Sequence, residues 1–222
     1  MSEPMIPDPT EDRLVHRLVF FTDAVFAIVL TILVLELHPP MTPAEADFGR
    51  FLETLPHLLA YALSFGIVAV YWVAHLNVTR RLVHFDWPVT VANLVFLGVL
   101  SLLPYATAWL GADIFGVTAW SLYSITLIVI SLANMALILT VLRDGGRLVG
   151  GVEPGEVRLR LLRSGAPGAA FVVGLACAQA GWPLGAQACA LLIPVIIALV
   201  SRFARARPAR DPEQVHNDPS RG

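Results

Sequence analysis

Asp23 is an ionisable side chain set in an otherwise apolar run from about Leu18 to Leu37. A carboxylate about a turn and a half inside such a segment is costly, and such groups mark either function or a buried pair. Arg17 precedes it by six residues, which turns a helix through about 600°, or 240° past a full turn. The two therefore contact different neighbours. For Asp23 two roles compete: accepting hydrogen bonds from another helix, or contacting an ion directly. Along the same segment Phe21, Ala24, Ile28, Ile32 and Leu35 recur at helical spacing and form one apolar stripe, with Thr31 beside it as the hydroxyl of its outer half. Such a stripe serves as core, as lipid-facing surface or as the lining of a passage. An enzymatic centre needs several His, Asp, Glu or Cys groups at one depth. The apolar runs supply Asp23, His75 and the scattered Cys177 and Cys189, which read as small packing residues. The chemistry on offer is ion passage or helix locking rather than catalysis, and no metal or cofactor motif of useful spacing is present.

The elements that position these residues follow from composition. Of 222 residues 56% are hydrophobic and 14% charged, with a mean hydropathy of +0.70. Soluble domains carry about 25% charged residues, so a soluble globule and a disordered chain are both excluded for most of the sequence. Two cysteines exclude a disulfide scaffold, and a net charge of −2 gives no argument for nucleic acid. A spanning helix needs about 20 apolar residues. Six runs qualify, at about Leu18–Leu37, Pro56–Leu76, Pro88–Leu110, Val117–Leu142, Leu161–Ala180 and Trp182–Val200. The fifth is interrupted at its start by Arg163, Ser164, Gly165 and Pro167. Gly181, Pro183 and Gly185 predict a tight hairpin between the fifth and sixth. Pro104 and Pro194 are expected to kink the third and sixth. The expected fold is an all-α integral membrane protein with six transmembrane helices per chain.

Orientation comes from arginine, because the chain has no lysine. With six spans, Arg13, Arg17, Arg80, Arg81, the five arginines between spans four and five, and the five after span six all fall on the side of the termini. Only Arg50, among Glu45, Asp47 and Glu53, falls opposite. The positive-inside rule then puts both termini in the cytoplasm. The first 16 residues are polar and acidic, unlike a cleavable signal, so the first run is read as a retained helix. The expected organisation is an N-terminal cytoplasmic segment over 1–16, a membrane domain over 17–201 and a disordered cytoplasmic tail over 202–222.

Arg17-x-x-x-Phe21-Thr22-Asp23 closely resembles the Arg-x-x-x-Phe-Ser-Asp signature of the TMEM175 family of potassium channels, with Thr22 in place of serine. Tyr71-Trp72-Val73-Ala74-His75, Asn93 and Leu102-Leu103-Pro104-Tyr105-Ala106-Thr107 continue the likeness in order and spacing, over roughly residues 13–200. The resemblance implies a homotetramer whose first helices line a central pore. It implies a constriction of aliphatic side chains at Ile28, Ile32 and Leu35, with Ala24 and Thr31 along the ion path. It also implies that Arg17, Phe21, Thr22, Asp23, Trp72 and His75 pack inside the subunit and hold the pore helix by hydrogen bonds. His75 and Trp72 read alternatively as an interfacial aromatic pair, and Glu36, Glu45, Asp47 and Glu53 as acids drawing cations to the mouth.

The function so implied is passive potassium conduction across the cell membrane, without cofactor, with other monovalent cations passing more weakly. K+, lipid and three further copies of the chain are the partners, and neither nucleic acid nor enzymatic activity is expected. A proton-permeable leak is a variant. A secondary transporter is the main alternative, though the first run lacks the Gly or Pro break that midplane substrate sites use.

Overall fold

The computed structural model describes residues 9–37, 48–79, 82, 86–146, 148, 154–182 and 184–189. The elements are α1 (Pro9–Leu35), α2 (Phe48–Glu53), α3 (Leu55–Thr79), α4 (Trp87–Leu100), α5 (Leu103–Ala112), α6 (Val117–Gly146) and α7 (Pro154–Gln179). No strand occurs among the described residues. Four segments are long and apolar enough to cross a membrane: Arg13–Leu35, Leu55–Thr79, Trp87–Ala112 and Val117–Arg143. These match the first four expected spans. Helix α1 begins well before the apolar run, because backbone hydrogen bonding continues into polar sequence while apolar length alone sets the span. Helix α2 lies in what the sequence marked only as a loop; it packs on α3 and stacks Phe48 on Phe51 with ring centroids 6.2 Å apart.

The third span is broken as Pro104 predicts. Proline has no N–H to donate and clashes with the preceding turn, so α4 ends at Leu100 and α5 starts at Leu103 with Pro104 in its first turn. Ser101 Oγ donates to Gly98 O at 2.7 Å across the break. Asp86 caps the start of α4, accepting from the Val89 N–H at 3.2 Å, and also pairs with Arg143 near the end of α6. Helix α6 is the central member, packing along α7, α4 and α5, while α1 lies on one flank against α3, α4 and α5.

The apolar core is Phe26, Val29 and Leu33 of α1 with Ile67, Val68, Phe96, Leu100, Leu110, Tyr123, Leu127 and Phe171. Hydroxyl chains thread it. Thr107 Oγ1 donates to its own helix at Leu103 O (2.8 Å), so Ser64 donates to Thr107 (2.7 Å) and Tyr123 OH donates to Ser64 (2.9 Å). By the same accounting Ser131 donates to Leu127 O and Tyr71 OH donates to Ser131 at 2.6 Å. Each buried hydroxyl in these chains is thereby satisfied in an environment that offers no bulk water.

Of the residues that interrupt the fifth run, Ser164 and Gly165 meet α6. Ser164 accepts from Asn134 Nδ2 at 2.8 Å. A Cβ at Gly168 would come within 2.7 Å of the Ser131 Cβ, so the helices approach closer there than a side chain allows. The uninterrupted apolar part of α7 is Ser164–Gln179, shorter than a full span. Its end confirms the expected turn. Gly181 adopts φ 76°, the Trp182 N–H reaches Cys177 O at 2.9 Å and the Gly181 N–H reaches Ala178 O at 3.1 Å. This is the paired-bond glycine cap that reverses a helix. A helical turn over 184–189 follows. The rest of the sixth run, Pro194, the loop acids Glu45 and Asp47, and the 202–222 tail lie outside the described residues.

Candidate functional site

Helix α1 has a buried face and an open one. Val15, Thr22, Phe26, Val29 and Leu33 are buried, Phe26 and Leu33 at 1% and 0% exposure. About a third of a turn round, Phe21, Ile28, Ile32 and Leu35 are uncovered, Ile28 at 54% and Leu35 at 70%, and the open arc extends to Phe20 and Val34. Thr31 is exposed beside them and Ala24 is half-buried. The stripe read from the sequence is thus the face that the subunit leaves open. Thr31 Oγ1 donates to Ile28 O at 2.8 Å, which spends its hydrogen on the helix and leaves its lone pairs outward.

A polar set, part buried and part exposed, fixes α1 to its subunit. Thr22 Oγ1 donates to Leu18 O and accepts from Asn93 Nδ2 of α4, both at 2.9 Å. Asp23 Oδ1 accepts from Trp72 Nε1 of α3 at 3.0 Å. His75 is 5% exposed and lies between two rings, stacked on Phe96 at 5.9 Å (11° between planes) and tilted against Phe26 at 5.9 Å. It belongs to the core rather than to an interfacial belt, because it continues the buried ridge of Ser64, Ile67, Val68, Tyr71 and Val78 along α3. Four of the six signature positions, Thr22, Asp23, Trp72 and His75, therefore meet where α1, α3 and α4 converge.

Arg17 and Phe21 do not. Both are exposed, contrary to the expectation that they pack within the subunit, and Trp72 is exposed as well despite its bond to Asp23. For Arg17 and Phe21 the reason is angular: with 28, 32 and 35 they share the open stripe, about a third of a turn from the buried ridge. Asn93, quoted in the sequence only as part of a resemblance, supplies the Thr22 bond. An amide inside an apolar run was the signal for it. Phe26 and Phe96 were not singled out, since aromatic residues in apolar runs carry no mark of a partner. Glu36 ends α1 half-buried and Glu53 ends α2 exposed. Among the described residues no cluster of His, Cys, Asp and Glu could hold a metal.

The chain is similar to known membrane channels. The family model described as endosomal/lysosomal potassium channel TMEM175 matches residues 17–104. A potassium channel of Chryseobacterium sp. is 35% identical over 130 residues, covering 59% of this chain and 66% of that protein. A potassium channel of Streptomyces collinus is 29% identical over 178 residues, covering 77% and 86%. The endosomal/lysosomal proton channel TMEM175 of Rattus norvegicus is 30% identical over 93 residues, 40% of this chain and 18% of that protein. The crystal structure of a lysosomal potassium-selective channel TMEM175 homologue from Chamaesiphon minutus superposes with a TM-score of 0.73. The identity there is 23%, with coverage of 84% of this chain and 97% of that one. That match shows a shared fold.

Proposed function

The chain belongs to the TMEM175 family of multi-pass membrane channels, and from that premise we propose that it conducts potassium passively through a pore lined by α1 of four subunits. The observation that carries the reading is the division of α1 into a locked face and an open one. Thr22, Asp23, Phe26, Val29 and Leu33 bind it to its own subunit, while Ile28, Ile32 and Leu35 remain uncovered. Four aliphatic faces turned to a common axis form successive narrow rings that gate by dewetting.

A cation passing such a ring sheds part of its hydration shell. Potassium is larger than sodium and holds water less tightly, so it loses less on entry. No cage of carbonyl oxygens repays the loss, so the discrimination is moderate. Thr31, with lone pairs outward, offers an oxygen contact between the Ile28 and Ile32 rings, and Ala24 leaves room on the inner side. Glu36, with Glu45, Asp47 and Glu53 of the following loop, raises the local cation concentration at the outer mouth. Six spans, cytoplasmic termini and residence in the cell membrane complete the reading. The arginine distribution and the glycine-capped reversal after α7 support it.

The test is a bi-ionic potential in proteoliposomes or planar bilayers, with potassium on one side and sodium on the other. The reversal potential is expected to lie toward potassium. Ile28→Asn, Ile32→Asn and Leu35→Asn should each wet a ring and move it toward zero. Unchanged preference in all three variants overturns the pore assignment, and saturable coupled uptake would favour a transporter. The vertebrate relatives, named as proton channels, favour a second permeant ion. A pH-sensitive dye inside the same liposomes reads it directly.

A further inference from the structure

We propose that Cys177 and Cys189 form a thiol pair placed to close a disulfide, which would staple α7 to the helical turn over 184–189. They are the two cysteines of the sequence. Both are free and half-buried, and the glycine-capped reversal at Gly181 folds one back toward the other. Gly174 sets the approach. It lies one turn before Cys177 on the same face of α7. A Cβ there would sit 3.6 Å from Ala186 O and 3.7 Å from the Cys189 Cβ, so the two backbones are in close contact at that level. Cys189 is thus level with Gly174, and Cys177 lies about 4.5 Å nearer the turn by helical rise. Side chains on a helix tilt toward its own start. In two antiparallel segments this tilt carries the Cys177 sulfur away from the turn and the Cys189 sulfur toward it, so they converge. The two thiols are in hydrogen-bond contact.

Closure is a thiol–disulfide exchange. The thiolate of one cysteine attacks a small-molecule disulfide such as oxidised glutathione, forms a mixed disulfide and expels one small thiolate. The second cysteine, as its thiolate, attacks the protein sulfur of that mixed disulfide and expels the other. Two protein thiols are oxidised, one small disulfide is reduced to two thiols, and the two protons pass to the departing thiolates. In the proposed orientation the pair lies toward the outer face. Gln179 donates to Ser121 near the start of α6, and Gln187 donates to Ile114 O in the connection from α5 to α6. Oxidising compartments lie on that side of a cell membrane. The compartment rests on that orientation; the contact between the thiols does not. Because Gln187 is on the same short turn as Cys189, the staple also fixes the segment that holds the α5–α6 connection.

The test is oxidation of the purified full chain in nanodiscs by a glutathione redox buffer, where orientation plays no part. Intact mass and maleimide labelling of the denatured product are the readouts. A loss of about 2 Da with no maleimide uptake is expected. Closure should be at least about tenfold faster than in the denatured chain, because the fold raises the effective concentration of one sulfur at the other. The oxidised chain should melt several degrees above the reduced one, and dithiothreitol should reverse the rise. Cys177→Ser and Cys189→Ser should show neither the mass loss nor the rise. Persistent glutathione adducts, disulfide-linked chain dimers, two labelled thiols, or equal closure rates in folded and denatured chains overturn the proposal. So does a bond that forms without raising the midpoint.

Discussion

Thr22 shows what a single hydroxyl does when water is absent. It gives its hydrogen to Leu18 O and takes one from Asn93 Nδ2, so it satisfies the amide while keeping α1 regular. Thr22→Val keeps the shape and strands the Asn93 donor, a loss of about 1–3 kcal/mol by the usual penalty for an unpaired buried group. Thr22→Ser retains the oxygen and should stay near the parent. Unfolding in mixed micelles, followed by circular dichroism, ranks the three. A valine variant as stable as serine would show that the Asn93 bond contributes nothing. Asp23 was legible in the sequence, since a carboxylate in an apolar run demands a partner. Its partner was not, because Trp72 is 49 residues away and only the folded bundle brings α3 alongside. His75 was ambiguous for a related reason. A titratable ring near the end of a span looks interfacial until its spacing from Tyr71 and Val78 is seen to place it on the buried ridge.

Periodicity found the long elements because four of them are bounded by polar residues, prolines or glycines. It found the break at Pro104, where a missing donor has a local effect. It under-read α7. Arg163, Ser164, Gly165 and Pro167 look like an interrupted span, yet in the bundle Ser164 and Gly165, with the neighbouring Gly168, bring α7 against α6. Small residues let membrane helices approach closely, and that proximity supplies the packing. Gly168 and Gly98 separate this role from mere helix propensity. A methyl group at Gly168 meets the Ser131 Cβ, whereas one at Gly98 meets nothing within 4 Å. Gly98→Ala should therefore raise the thermal midpoint slightly, since alanine gains about 0.5–1 kcal/mol over glycine in a helix interior. Gly168→Ala should lower it by forcing α6 and α7 apart. Equal shifts in the two variants would remove the close-approach argument.

At the scale of the whole molecule, the net charge says little; its distribution supports the proposed orientation, and the open face of α1 supports the proposed pore. The assembly itself was legible only through resemblance. Cysteine substitution along α1 joins the two arguments. If four α1 helices surround the ion path, then Ile28→Cys, Ile32→Cys and Leu35→Cys each place four thiolates around one axis, a soft-ligand ring suited to Ag+ or Cd2+. Block of potassium current should follow in all three. Val73→Cys, as exposed within the subunit as the stripe but on α3, should conduct normally in the presence of the metal, because the proposed pore is lined by α1 and not by α3. Block at Val73 with none at Ile28, Ile32 or Leu35 would move the ion path from α1 to α3. The side of access adds the orientation: Leu35 is the stripe residue nearest the loop that carries Arg50, so hydrophilic thiol reagents should modify Leu35→Cys from the external face and leave it untouched from the cytoplasmic face while the inner rings stay dry.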